Sequence, residues 1–317
     1  MGIKDLAPEL LLALGKKRRT GNLNDYSGKV FGVDCSVWIM KALHSREHGS
    51  DIARLLSIVP IQDITLHVTQ YFDKLLTTLK TVRITPVLVL DGCRNPLKAD
   101  TNLKRTETTD LAKARLKSYW EDESTPNNAN LLNKLAKAAV TIHPEVYLMV
   151  QEWASANGLR IVCAPIEAEW QLISMEKQGV IDGIISVDSD CMCLGGNLLV
   201  TDYATNVEET KDKDVNIKCT VWTHDEVCKG LQKMVPGSKQ WQTDDVRSFC
   251  ILCGCDYFSR IAPLATLKAL FKHWVGAPLE RKQELLAHLI MKVALTEPLR
   301  EEWTDSETAY NDRFIHA

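Results

Sequence analysis

The chain has 317 residues, 45% hydrophobic and 25% charged, with a formal net charge of −3, a composition that suits a globular protein with a full core. It contains no apolar run of the roughly eighteen residues a membrane helix needs, and the opening "MGIKDLAPEL" carries acidic residues where a signal or transit peptide avoids them. Membrane insertion and secretion are not expected, and ten cysteines without framework spacing point to a reducing compartment and no structural disulfides.

In chain order, a basic run "KKRR" at 16–19 precedes "KVFGVD" (29–34), a short apolar run with β-branched content that ends in Asp34. Helical periodicity with few breakers fills 63–82, and "PVLVLD" (86–91) repeats the first run, ending in Asp91. Residues 92–143 are polar and charged, with helical pieces "TDLAKARLKSYW" and "ANLLNKLAKAA" joined through "EDESTPNN". They read as a helical excursion from a sheet. "LRIVCAP" (159–165) and "DGIISVD" (182–188) are two more strands, with a helix over 167–178 between them. Residues 201–218 are polar and read as a loop or exposed hairpin, and beyond Thr223 the chain is mostly helical. Strands alternating with helices predict an α/β fold with a central, mostly parallel sheet flanked by helices. The expected units are 1–91 and 144–257 as two parts of one core, 92–143 as an insertion, and 258–317 as a C-terminal helical region.

In such a sheet ligands bind beyond the carboxyl ends of the strands. Asp34, Asp91, Asp188 and Asp190 stand there, the last two sharing a side if the segment is extended, "PIEAEW" adds Glu167 and Glu169 after the third strand, and "GCDY" adds Asp256. A single strand-end aspartate is commonly a helix cap or turn residue. Seven together repel one another and need positive charge among them. Hard oxygen donors suit Mg²⁺ or Mn²⁺, and a set too large for one ion suits two. Setting aside these seven charges turns −3 into +4, and residues 94–117 hold seven basic against three acidic side chains. The acidic total therefore does not argue against a nucleic-acid partner.

Taken in order and spacing, "MGIKDLAP", "VFGVDCSVWIMK", "PVLVLDGCRNPLKADTNLKR", "APIEAEWQL", "ISVDSDCMCLGG" and "FCILCGCDY" resemble the XPG-type structure-specific 5′ nucleases, in the flap endonuclease and exonuclease 1 branch. The resemblance runs from Met1 to about Tyr257. It implies a PIN-like nuclease core that hydrolyses phosphodiesters near 5′ ends or flaps of DNA with two Mg²⁺ ions, replaceable by Mn²⁺. Asp34, Asp91, Glu167 and Glu169 would hold one ion and Asp188, Asp190 and Asp256 the other. Lys98 and Arg105 would polarise the scissile phosphate from the first helix of an arch, residues 92–143, with Lys104 beside them on the nucleic acid. Gly2 would lie near the active site, and Met40 stands where relatives carry a stacking ring. A monomeric, intracellular and mainly nuclear protein acting on DNA, with RNA as the other candidate substrate, is the expectation.

Two departures qualify the resemblance. The family's helix-hairpin has a glycine-rich turn that grips duplex phosphates through backbone amides and a monovalent cation, whereas "FSRIAPLATLKALFKHW" has no glycine between Gly254 and Gly276. The tail "NDRFIHA" lacks a sliding-clamp motif, so no clamp partner is expected. Cysteines 191, 193, 250, 253 and 255 offer a zinc or iron–sulfur alternative, but their spacing suits buried helix faces better. The rival of another class is a nuclease-fold scaffold on RNA or protein without cleavage, which has no reason to gather seven acids.

Overall fold

In the computed structural model of the protein, residues 6–15, 20–44, 61–121, 129–204 and 216–296 are described. Gly2, the basic run at 16–19, the joint at 122–128, residues 205–215 of the polar segment and the C-terminal tail lie outside them.

Among the described residues, seven strands form one sheet: β1 Gly21–Asn22, β2 Val30–Asp34, β3 Thr85–Leu90, β4 Arg160–Cys163, β5 Gly183–Ile185, β6 Leu198–Tyr203 and β7 Lys218–Thr223. Their order across the sheet is β1-β7-β6-β5-β2-β3-β4. The block from β6 through β5, β2 and β3 to β4 is parallel, and β7 and β1 close it antiparallel. The four strands expected from apolar runs are β2 to β5. Of the two readings of 201–218, the structure supports the hairpin: residues 201–203 end β6 and Lys218 opens β7, its antiparallel neighbour. Leu199, Val200 and Tyr203 are buried, with a bulge between Val200 and Asp202. That bulge breaks the period-2 pattern that would have marked the strand.

Among the described residues, twelve α-helices surround the sheet: α1 Leu6–Ala13, α2 Cys35–Leu43, α3 Ile61–Thr81, α4 Ala99–Glu121, α5 Ala129–Ala139, α6 Pro144–Ala156, α7 Ala168–Lys177, α8 Asp190–Cys193, α9 His224–Met234, α10 Thr243–Cys253, α11 Leu264–Trp274 and α12 Leu279–Thr296. None of the described helices is long and apolar enough to cross a membrane. The sheet is covered on both faces, as its near-continuous apolar strands require. Alternation along β3 sends Val87 and Val89 into one core, with Leu172 and Phe249, and Leu88 and Leu90 into the other, with Trp38 and Phe72. Trp38 is a core residue, edge-on to Phe72 at 5.4 Å.

The excursion at 92–143 is a helix pair, α4 and α5, held together by the small cluster of Ala112, Leu116 and Ala139. The C-terminal helices pack into the same core as α10. Phe271 of α11 meets Phe249 of α10 edge-on at 4.9 Å and stacks on Trp241 at 5.5 Å. This aromatic group anchors the helix that leads into Asp256. Phe271→Ala should therefore cost about 3–5 kcal/mol of unfolding free energy, measured by urea denaturation; a loss under about 1 kcal/mol would show the group to be dispensable.

Candidate active site

The parallel strands end level with one another, since Asp34 pairs with Val89 and Leu90 with Cys163. This brings the acids that follow them to one edge. Asp34 is buried and caps α2, accepting from Val37 N–H (3.2 Å) and from the Ser186 hydroxyl (3.0 Å). Asp91 accepts from the Ser36 hydroxyl (2.6 Å) and from Ala168 N–H (2.9 Å). It thereby satisfies the first amide of α7, whose own N-cap residue, Glu167, makes no side-chain cap bond. Glu167 is left to turn elsewhere. Gly92 permits this adjacency: its N–H donates to Ile166 C=O at 2.6 Å, and a Cβ there would sit 2.0 Å from Ala164 O.

Beyond β5 the chain does not stay extended, as the spacing of Asp188 and Asp190 had suggested. Ser189 is helical (φ −71, ψ −12) and Asp190 opens α8. The two carboxylates meet through a turn, in which Asp188 N–H donates to Ser186 Oγ (3.1 Å) and Asp190 N–H to Asp188 Oδ1 (3.0 Å). Asp256 arrives from another direction. Gly254 ends α10 with φ +96, a conformation that suits glycine, and a Cβ on it would lie 3.0 Å from Arg260 N. Cys255 and Phe258 then close a tight antiparallel bridge around Asp256.

The acids fall into two groups in which ligand oxygens lie within 4.8 Å of one another: Asp91, Glu167 and Glu169, and Asp188, Asp190 and Asp256. Asp34 stands behind the first group and belongs to neither. Lys98 touches both, with Nζ 2.6 Å from Glu167, 3.7 Å from Glu169 and 3.9 Å from Asp256. It is buried, and it ends a short 3-10 turn, Pro96–Lys98, capped by Asn95 before α4 begins. Lys98 thus precedes the helix on which it was expected. Its Nζ also lies 4.7 Å over the Tyr257 ring. Burial works against the Lys98 charge, but Glu169 and the bonded Glu167 outweigh it and hold the ammonium more firmly protonated than usual. Arg105, half exposed on α4, donates to Asp256 Oδ2 at 2.6 Å.

Without an ion, Asp34, Glu169 and Asp190 resist ionisation. Burial, then Glu169 and Asp91, push Asp34 up to about 8. Burial, opposed by Lys98, pushes Glu169 up to about 7. Burial, then Asp188 and Asp256, push Asp190 up to about 8. Among the described residues, neither of the buried Asp190 oxygens has a hydrogen-bond partner. An orphaned carboxylate beside two others is costly unless a cation joins it, and an all-oxygen donor set fits an ion of the Mg²⁺ or Mn²⁺ kind.

Of the other predicted residues, Met40 is half-buried on α2 and Lys104 exposed on α4. Among the described residues neither is hydrogen-bonded or ion-paired to the seven acids. Ser36, Ser186 and Tyr257 were not singled out from sequence, although each lies within two residues of a predicted acid. All ten cysteines are free, and Cys191, Cys193, Cys250 and Cys253 pack in the core.

These shifts fix the sign of a pH dependence. With folded values above the unfolded ones, the ion-free protein binds more protons folded than unfolded between about pH 4 and 8, so their contribution to stability falls as pH rises through that window. The melting temperature of the metal-free protein should drop from about pH 5.5 to 8, less so in Asp190→Asn, and Mg²⁺ should restore more of it at the upper end. A drop of equal size in Asp190→Asn would contradict the assignment.

Comparison with known proteins is consistent with this arrangement. The family models of the XPG N-terminal domain and the XPG I-region match residues 1–112 and 158–256, together more than half of the chain. The chain is 28% identical over 273 residues to exodeoxyribonuclease 1 of Saccharomyces cerevisiae, covering 85% of this chain and 34% of that protein. It is 27% identical to flap endonuclease 1 of Cryptosporidium muris, covering 86% and 56%. It thus spans between about a third and just over half of the length of these relatives. The fold is similar to the catalytic core of Rad2 in complex with DNA substrate, at 18% identity and TM-score 0.57, covering 95% of this chain and 82% of that one. Human GEN1 in complex with Holliday junction DNA matches at 16% identity and TM-score 0.53, covering 93% and 62%. With both conserved regions matched in order around the acids, the chain belongs to the XPG-type nuclease family.

Proposed function

We propose that the protein is a divalent-metal-dependent 5′ nuclease that hydrolyses phosphodiester bonds near 5′ ends or flaps of DNA, acting as a monomer, chiefly in the nucleus. The observation that carries this reading is the pair of acidic groups bridged by Lys98, with the Asp190 oxygens left without donors. Asp91, Glu167 and Glu169 would hold one Mg²⁺ or Mn²⁺, with Asp34 behind them, and Asp188, Asp190 and Asp256 the other. Such a pair supplies an activated water and charge stabilisation for the departing 3′ oxygen.

The chain's own groups do the rest. Asp91 ties the head of α7 to Ser36 on α2, which keeps Glu167 and Glu169 at the sheet edge. Lys98 and Arg105 hold their N–H donors over the acids, where they would grip the non-bridging oxygens of the scissile phosphate. Thr101 donates to Asp256 C=O at 2.7 Å, so the base of α4 is fixed to the same turn. The α4–α5 pair stands above this floor and would serve as the arch that admits an unpaired 5′ end; residues exposed on α4 include Lys104, Arg105, Lys113, Arg115 and Lys117.

The test is a time course on 5′-labelled flap, blunt, nicked and single-stranded DNA and matched RNA, in Mg²⁺ and in EDTA. Cleavage should require the ion, and Asp188→Ala should lower the rate on the order of a thousandfold while retaining the fold by circular dichroism. Undiminished cutting by that variant would sink the assignment, and no product from any substrate would favour the scaffold reading.

A further inference from the structure

Trp170 lies on the first turn of α7, one residue beyond Glu169, and is 43% exposed. Its indole N–H donates to Tyr257 Oη at 3.0 Å, and the two rings are tilted by 59° at 6.0 Å. The same Tyr257 ring lies beneath Lys98 Nζ, which meets Glu167 and Glu169. An exposed indole is thus joined through one tyrosine to the cation at the centre of the site. Its single polar atom is engaged internally, so its side chain is held and what it offers outward is an apolar ring. Leu97 and Ile166, which precede Lys98 and Glu167, are also exposed, at 37% and 41%. The site has a charged floor with apolar side chains beside it.

Resting on the nuclease reading, we propose that Trp170 is a substrate-contacting residue whose ring stacks on the nucleobase next to the phosphate held over Lys98. A ligand that presents a phosphate to Lys98 and Arg105 and a flat ring a short way off matches both surfaces, and a nucleotide of an unpaired strand has that form. Every base has a π-face, so the contact does not read sequence. It selects for an unstacked base over a paired or missing one. Trp170 therefore acts on strand specificity, where Lys98 and Arg105 act on the phosphate.

The experiment scans single abasic positions along the cleaved strand of a 5′-flap DNA, with wild type, Trp170→Phe and Trp170→Ala. In wild type one position near the scissile bond should lower kcat/KM roughly 5- to 100-fold. Trp170→Ala should lose a similar factor on intact DNA, mainly in KM, and become indifferent to that position, whereas Trp170→Phe should keep the sensitivity. Abasic sensitivity unchanged in Trp170→Ala overturns the proposal. So does a fall in kcat alone that Trp170→Phe shares, which would make Trp170 a positioning residue for Tyr257 and Lys98. A binding arm separates this from the nuclease reading: quenching of a 2-aminopurine placed at successive positions in single-stranded DNA should weaken in Trp170→Ala whether or not the wild type cuts. Equal quenching by both proteins at every position contradicts the stacking contact.

Discussion

Like charges crowded at one edge of a sheet set the terms for everything around them. Two carboxylates about 4 Å apart repel by about 4 kcal/mol at the effective dielectric of a protein surface, and here seven share one crevice. The fold gives most of them a different partner. Asp34 has Ser186 and the first turn of α2, Asp91 has Ser36 and the head of α7, Glu167 has Lys98, Asp256 has Arg105, and Asp188 has the amide of Asp190. Asp190 is left with buried, unpartnered oxygens. Two helix ends and the Ser36 and Ser186 hydroxyls arrange the acids, and the one carboxylate that they leave over suits a cation.

The same constraint ties distant parts of the chain together. Asp256 is held by the Gly254 turn after α10, and α10 is held by the aromatic group of Trp241, Phe249 and Phe271. Thr101 and Arg105 of α4 both bond to Asp256. The base of the helical excursion is therefore locked to the C-terminal helices through the acidic edge. Farther out, among the described residues, α4 and α5 share the buried cluster of Ala112, Leu116 and Ala139, with Leu135 packed against it.

Much of this was legible in the sequence, for reasons that are themselves physical. β2, β3 and β5 are largely buried and β4 is a part-exposed edge strand, yet all four show as apolar runs, and each ends in or is closely followed by an acid that later appears at the edge. β1 has two residues and β6 has a bulge, so neither carries a period to read. The turn that joins Asp188 to Asp190 depends on the Ser186 hydroxyl, and an extended reading of the spacing missed it. The links Lys98–Tyr257 and Trp170–Tyr257 cross long stretches of sequence and follow only from the folded sheet. The glycine-free segment after Asp256 forms α11, whose Leu267 and Phe271 face the core. The aromatic anchoring by Phe271 was not legible in the sequence.

The central claim is that the two acidic groups are two cation sites. Calorimetric titration of the metal-free protein with Mn²⁺ at about pH 7.5 addresses it without relying on cleavage. The account predicts two ions per chain, one lost in Asp190→Asn and the other weakened in Glu169→Gln. A single ion, or a stoichiometry that neither variant changes, would contradict it.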